Sequence, residues 1–175
     1  MLNEGENNMF NIGDKVIYSS QGICIIDDIC EKEYFGATKN YYILHPLENP
    51  NLIISTPVDN NKVTMLELVD RDEAERIIES FRQPGMDWIE SWDQRNQTYS
   101  EIVKRGNRFE ISGIVNTLMR KKHEAETVGK KLSAKDIKLL DMVQNTLFSE
   151  LAMSLNTTLE AIQEKVYSYI NENVY

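Results

Sequence analysis

The apolar residues of the chain change their period once, near residue 68, and that change limits the fold more than any other feature. Before it, apolar side chains come in short β-branched runs: Phe10, Ile12, Val16 and Tyr18, then Ile23, Ile25 and Ile29, then residues 40–44, 52–56 and 62–66. Gly13, Gly22 and Gly36 punctuate them. Four or five short strands separated by turn signals predict a small antiparallel barrel rather than βαβ units. The segment 31–37, centred on Tyr34-Phe35-Gly36, reads as a hairpin tip, with Gly36 supplying a positive φ. Pro57 falls directly after a strand run, where its missing N–H suits a sheet edge or strand end.

After the change the period is helical. Asp70 with Glu73 makes a capping box, and the helix it opens runs through Ala74, Ile77, Ile78 and Phe81 until Pro84-Gly85 stops it. A second helix is expected from Trp92 to Lys104, closed by Gly106. A third carries Phe109, Ile111, Val115, Leu118 and Met119 and gives way to a polar stretch over 121–131. Ser133 to Asp136 opens a fourth through Leu139, Leu140, Val143, Leu147 and Leu151, and Thr158 opens a fifth through Ile162, Val166, Tyr169 and Ile170. A switch from period 2 to period 3.6 is a domain boundary. The fold class is therefore two-domain β + α, a barrel over 9–68 and an all-α helical bundle over 69–175, with 1–8 read as a disordered tail.

The length, 175 residues, suits two small domains. No apolar run approaches the roughly 18 residues that a membrane span needs, and the polar, acidic start MLNEGENN is unlike a secretory signal. A cytoplasmic chain with no membrane partner is expected. The formal charge is −9, which by itself argues against a polyanion partner. Its distribution reverses that argument. Residues 1–68, 69–94 and 139–175 carry net charges of −6, −5 and −4, whereas residues 95–138 carry +6. More than half of the Lys and Arg lie in that one segment, including Arg95, Lys104, Arg105, Arg108, Arg120, Lys121, Lys122, Lys130, Lys131, Lys135 and Lys138. A local basic segment in an acidic chain is the footprint of nucleic-acid contact. The competing reading is a solvated helix face whose lysines pair with Glu101, Glu110, Glu124 and Glu126.

Catalytic and metal chemistry find no constellation. His45 and His123 have no ligands at metal spacing, Gly129-Lys130 lacks the rest of a phosphate loop, and no nucleophile elbow occurs. No enzyme activity, metal or cofactor is expected. Cys24 and Cys30, an even number of residues apart in one strand, are expected on the same face as small buried hydrophobes. No heptad seam is present, so a monomer is expected.

The run Met9-Phe-Asn-Ile-Gly-Asp-Lys-Val-Ile-Tyr18 with Gly22, the Trp92 helix start, and Leu132-Ser-Ala-Lys-Asp-Ile-Lys138 through Glu150-Leu-Ala152 resemble the CarD (CdnL-type) bacterial transcription regulators. The resemblance covers about residues 9–155 in register. It implies a Tudor/SH3-like N-terminal barrel that docks on the RNA polymerase β subunit. It further implies a helical half that contacts promoter DNA at the upstream fork of the melted bubble. There a tryptophan wedges into the minor groove and slows bubble collapse without reading an operator. The protein would then sit on the bacterial nucleoid through the polymerase.

On this chain the wedge position is Trp92, with Trp88 taken as packing. A flat apolar ring can replace lost base stacking at a fork. Arg95, one turn on, is placed to grip a phosphate beside it, and Lys104, Arg105, Arg120, Lys121 and Lys122 would add backbone contacts. The polymerase contact strand corresponds to residues 52–57, with Ile53, Ile54, Ser55 and Pro57, and the preceding hairpin brings Lys32. Gln94, Asn96 and Gln97 stand where some family members are basic or aromatic, and Ser55 where certain members carry Arg. Two other readings stay open. One is a sequence-specific helix-turn-helix protein using helices within 107–153. The other is a polymerase-binding adaptor whose helices are purely structural.

Overall fold

The computed structural model describes residues 10–18, 21–60, 62 and 64–172. The expected tail over 1–8 lies outside them. The chain divides into two compact units, residues 1–68 and 69–175.

The first unit is an antiparallel sheet of β1 (Lys15–Tyr18), β2 (Gly22–Tyr34), β3 (Ala37–Pro46), β4 (Ile54–Pro57) and β5 (Met65–Glu67), in the order β4-β3-β2-β1-β5. Laid flat, its end strands would stand about 19 Å apart at the usual spacing between strands. Yet Ile54 of β4 and Met65 of β5 both pack on one small core of Val16, Cys24, Ile26, Tyr42 and Leu44. The sheet therefore curls around that core, as a Tudor-like barrel does.

Curling is helped by a bulge in β2. Ile26 faces Leu44 and Asp28 faces Ile43, which leaves Asp27 as the extra residue. An extra residue reverses the alternation beyond it. Ile29, opposite Tyr42, is therefore the residue that returns to the core side, while Cys30, opposite Tyr41, points the other way. This corrects the expectation that Cys24 and Cys30 share a face. Cys24 is fully buried, Cys30 only partly, and both are free thiols. Asp27 meets His45 across the ladder, Oδ2 to Nδ1 at 2.7 Å.

The hairpin turn is shorter than the sequence implies. Both strands run on to Tyr34 and Ala37, so only Phe35 and Gly36 remain in the loop, with φ of 52° and 77°. Two successive positive φ values make the primed turn that matches strand twist. Pro57 is the last residue of edge strand β4, where its missing N–H costs nothing.

The second unit is five helices: α1 (Arg71–Ser80), α2 (Trp92–Arg105), α3 (Arg108–Thr127), α4 (Ala134–Ser154) and α5 (Leu159–Glu172). Asp70, Ser91, Asn107 and Ser133 cap the first four, each side chain accepting from a backbone N–H in the first turn. Gly106 closes α2 at φ 77°, a left-handed position that glycine occupies without a steric cost. One core joins all five helices, including Phe81, Tyr99, Leu118, Phe148 and Ile170. The polar stretch after Met119 is not a connection. α3 continues to Thr127, so Arg120, Lys121 and Lys122 stand on a helix. No helix among the described residues is long and apolar enough to cross a membrane.

Candidate nucleic-acid interface

Trp92 is the first residue of α2, directly after the capping Ser91. Its ring and that of Trp88 are half-buried and pack on the helical core. Three cations surround the two rings. The Arg95 guanidinium lies 4.1 Å from the Trp88 centroid and 5.4 Å from that of Trp92. Lys121 Nζ lies 5.6 Å from Trp88, and Lys135 Nζ lies 5.5 Å from Trp92. Such contacts stabilise by about 0.5–1 kcal/mol each at exposed positions, and they hold positive charge beside an apolar ring.

Arg95 is turned inward rather than placed to grip a phosphate. It is 4% exposed, and its Nε and Nη2 donate to the two carboxylate oxygens of Asp136, each at 2.9 Å. Its Nη1 donates to the carbonyls of Ile89 and Glu90. A guanidinium has five N–H donors, and most of these are spent inside the protein. The periodicity that placed Arg95 beside Trp92 was right about proximity and wrong about direction, because its partner Asp136 draws the side chain inward.

Arg120 is a second correction. Its Nε donates to Asn116 Oδ1 at 2.8 Å and its Nη2 to the carbonyls of Phe81 and Gln83 at 3.0 and 3.3 Å. It ties α3 to the carbonyls just past the end of α1, and burial lowers its pKa from the ordinary arginine value. The neighbouring Lys121 is half-buried and pairs with Glu124 at 2.9 Å; Lys122 is half-buried too.

Lys104 and Arg105 are exposed at the far end of α2. At 1.5 Å per residue they stand about 18 Å along the helix from Trp92, and Arg105 pairs with Glu110 at 3.3 Å. They form a separate basic site and do not join the tryptophans. Lys135 is the residue that sequence spacing missed. It belongs to the basic segment, and it comes beside Trp92 because its neighbour Asp136 meets Arg95 there, a contact between segments distant in sequence.

In the β unit, Lys32 and Ser55 meet. Lys32 Nζ donates to Ser55 Oγ at 2.9 Å and passes 5.6 Å from the Tyr41 ring, so the side chain reaches from β2 across β3 to β4. Ile53, at 72% exposure, precedes the strand, while Ile54 packs on the core and Pro57 is half-buried. β4 has β3 on one side and is the end of the sheet on the other.

The family model described as CarD-like/TRCF RID domain matches residues 10–69, and that described as the CarD C-terminal domain matches residues 76–167. This chain belongs to the CarD family. It is also 30% identical over 156 residues to "Putative transcription factor YdeB" of Bacillus subtilis (strain 168), covering 89% of this chain and 98% of that protein. In this CarD-family chain the two matched regions coincide with the sheet and with the helical bundle.

Proposed function

We propose that this CarD-family protein regulates transcription by docking its β unit on the RNA polymerase β subunit and placing its helical unit against promoter DNA at the upstream edge of the bubble. It acts as a binding protein, without catalysis, and stabilises the open complex. Membership of the family and the name of the Bacillus relative support the transcriptional role. The observation that carries the DNA role is the half-buried indole of Trp92 at a helix start with the Lys135 ammonium 5.5 Å from its ring. An apolar plate beside a cation suits a fork, where an unstacked base and a phosphate lie side by side. Lys135, Lys121 and Lys122 take the phosphate role in place of the inward-turned Arg95 and Arg120, and Lys104 with Arg105 form a second contact along the backbone.

Polymerase docking rests on the edge strand β4, which offers a row of backbone groups to a partner strand. Ile53, Ser55 and the Lys32 side chain sit along it.

The test is binding to a forked promoter fragment over a range of salt. Each phosphate neutralised contributes about −0.9 to the slope of log K against log salt on duplex DNA. Wild type is expected to show a clear negative slope, and Lys135→Ala to flatten it by about one contact. A fragment that binds no better at low salt than at high salt would leave the adaptor reading in its place.

A further inference from the structure

The Arg95–Asp136 ion pair is buried, as is Arg108–Glu150, but it alone of these two adjoins the tryptophans. Its side chains are 5% and 3% exposed, and it is doubly hydrogen-bonded. A buried pair of this kind is a poor source of net stability, since well-packed apolar residues of similar volume usually serve as well or better. What it supplies is direction. A planar fork accepts only one relative placement of a carboxylate.

Here the fork fixes three pieces of chain at once. Arg95 is on α2, one turn after Trp92. Asp136 is in the first turn of α4, where its carboxylate also accepts from the Ser133 hydroxyl at 2.6 Å and its own N–H donates back to that oxygen at 3.1 Å. The Nη1 donors hold the carbonyls of Ile89 and Glu90, just before the cap of α2. The same guanidinium lies over the rings of Trp88 and Trp92. Moving Asp136 therefore moves the surface on which the Trp92 indole rests, together with Lys135 beside it.

We infer that Arg95 and Asp136 are positioning residues for Trp92: the pair sets the angle of the indole and the place of the Lys135 ammonium, and neither residue touches DNA. This rests on the wedge reading of Trp92.

The experiment replaces the pair by Arg95→Met with Asp136→Leu, an exchange that leaves no buried charge alone, and in parallel by the milder Arg95→Lys. Position is read from Trp92 emission in a Trp88→Phe chain, and action from open-complex lifetime with polymerase. The pair variants are expected to shift Trp92 emission to the red and to shrink the lifetime extension roughly fivefold, as for a site whose supporting groups have loosened. Polymerase affinity should stay unchanged. In a Trp92→Ala chain the same replacements should cost nothing more, because the two changes act through one group.

Unchanged emission together with an unchanged lifetime would overturn the positioning role. So would a loss that adds in full to that of Trp92→Ala, which marks a general structural effect. If Trp92→Ala itself leaves the lifetime intact, the wedge reading fails, and an emission shift in the pair variants would then show position without that use. Should the double replacement fail to fold, Arg95→Lys carries the same comparison, since it keeps the charge and loses only the fork.

Discussion

Gly85 lies with its backbone against the backbone of Thr117. A Cβ placed on Gly85 would stand 2.8 Å from both the Cα and the N of Thr117. The next residue, Met86, donates its N–H to Thr117 Oγ1 at 2.6 Å, and that hydroxyl donates to Gly113 O at 2.8 Å. The segment after α1 is thereby pressed on α3 just before it delivers Trp88.

The Thr117 hydroxyl is nearer still and could turn away, but the Cα and N are backbone and cannot swing aside. Gly85→Ala is expected to destabilise the helical unit by about 1–3 kcal/mol, the usual penalty for overpacking. Urea denaturation followed by helical circular dichroism checks it. A change within a few tenths of a kcal/mol would mean that the segment can lift off α3 freely.

Phe35 holds a left-handed φ of 52° at a hairpin tip while its side chain is wholly exposed. A bulky residue in that region is strained, and no burial offsets the strain. Phe35→Asn should stabilise the β unit by about 0.5–1 kcal/mol, since Asn-Gly is the preferred pair for a turn of this type. A loss of stability in urea would show that the ring has contacts in solution that its exposure denies.

Burial pushes the Cys24 thiol up to about 11 from its ordinary 9.0. The unfolded chain releases that proton near pH 9 and the folded chain only near 11. Native stability therefore falls as pH rises through this window, and it is unaffected by this group below it. Ellman's reagent at pH 8 should modify Cys30 readily and Cys24 only on unfolding. Two thiols reacting at one fast rate in the native protein would contradict the assignment of opposite faces.

Glu150 is a buried carboxylate that accepts from Arg108 and from the N–H of Val69 at 3.0 Å. Glu150→Ala is expected to cost about 3–5 kcal/mol because it removes the carboxylate that balances the buried Arg108 charge. Adding Arg108→Met should recover part of the loss, though the buried Val69 N–H would still lack its acceptor. Full recovery in a thermal or urea melt would show that this N–H is not truly buried.

The β-to-α division was legible because burial alternates in one half and recurs every three to four residues in the other. The caps Asp70 and Ser133 were legible as local chemistry, and so was the stop at Gly106. What escaped were contacts made between distant segments. Nothing local in Ile26-Asp27-Asp28-Ile29 announces which residue is extra, so the bulge and the reversal of Cys30 stayed hidden. The long reach of α3 was obscured because Lys121 and Lys122 look like loop residues, though they are good helix formers. Arg95 and Arg120 were read as surface cations because arginine is seldom buried. Their inward course depends on Asp136 in one case and on the carbonyls of Phe81 and Gln83 in the other, and neither partner is near in sequence.

The action proposed for the Trp92 plate is to keep promoter DNA open. It is tested most directly by the lifetime of open complexes formed with the polymerase of the same organism, comparing no factor, wild type and Trp92→Ala. Wild type should lengthen the lifetime, and Trp92→Ala should lose most of that gain while still binding polymerase. Equal lengthening by both proteins would contradict the account and leave Trp92 as a packing residue of the helical core.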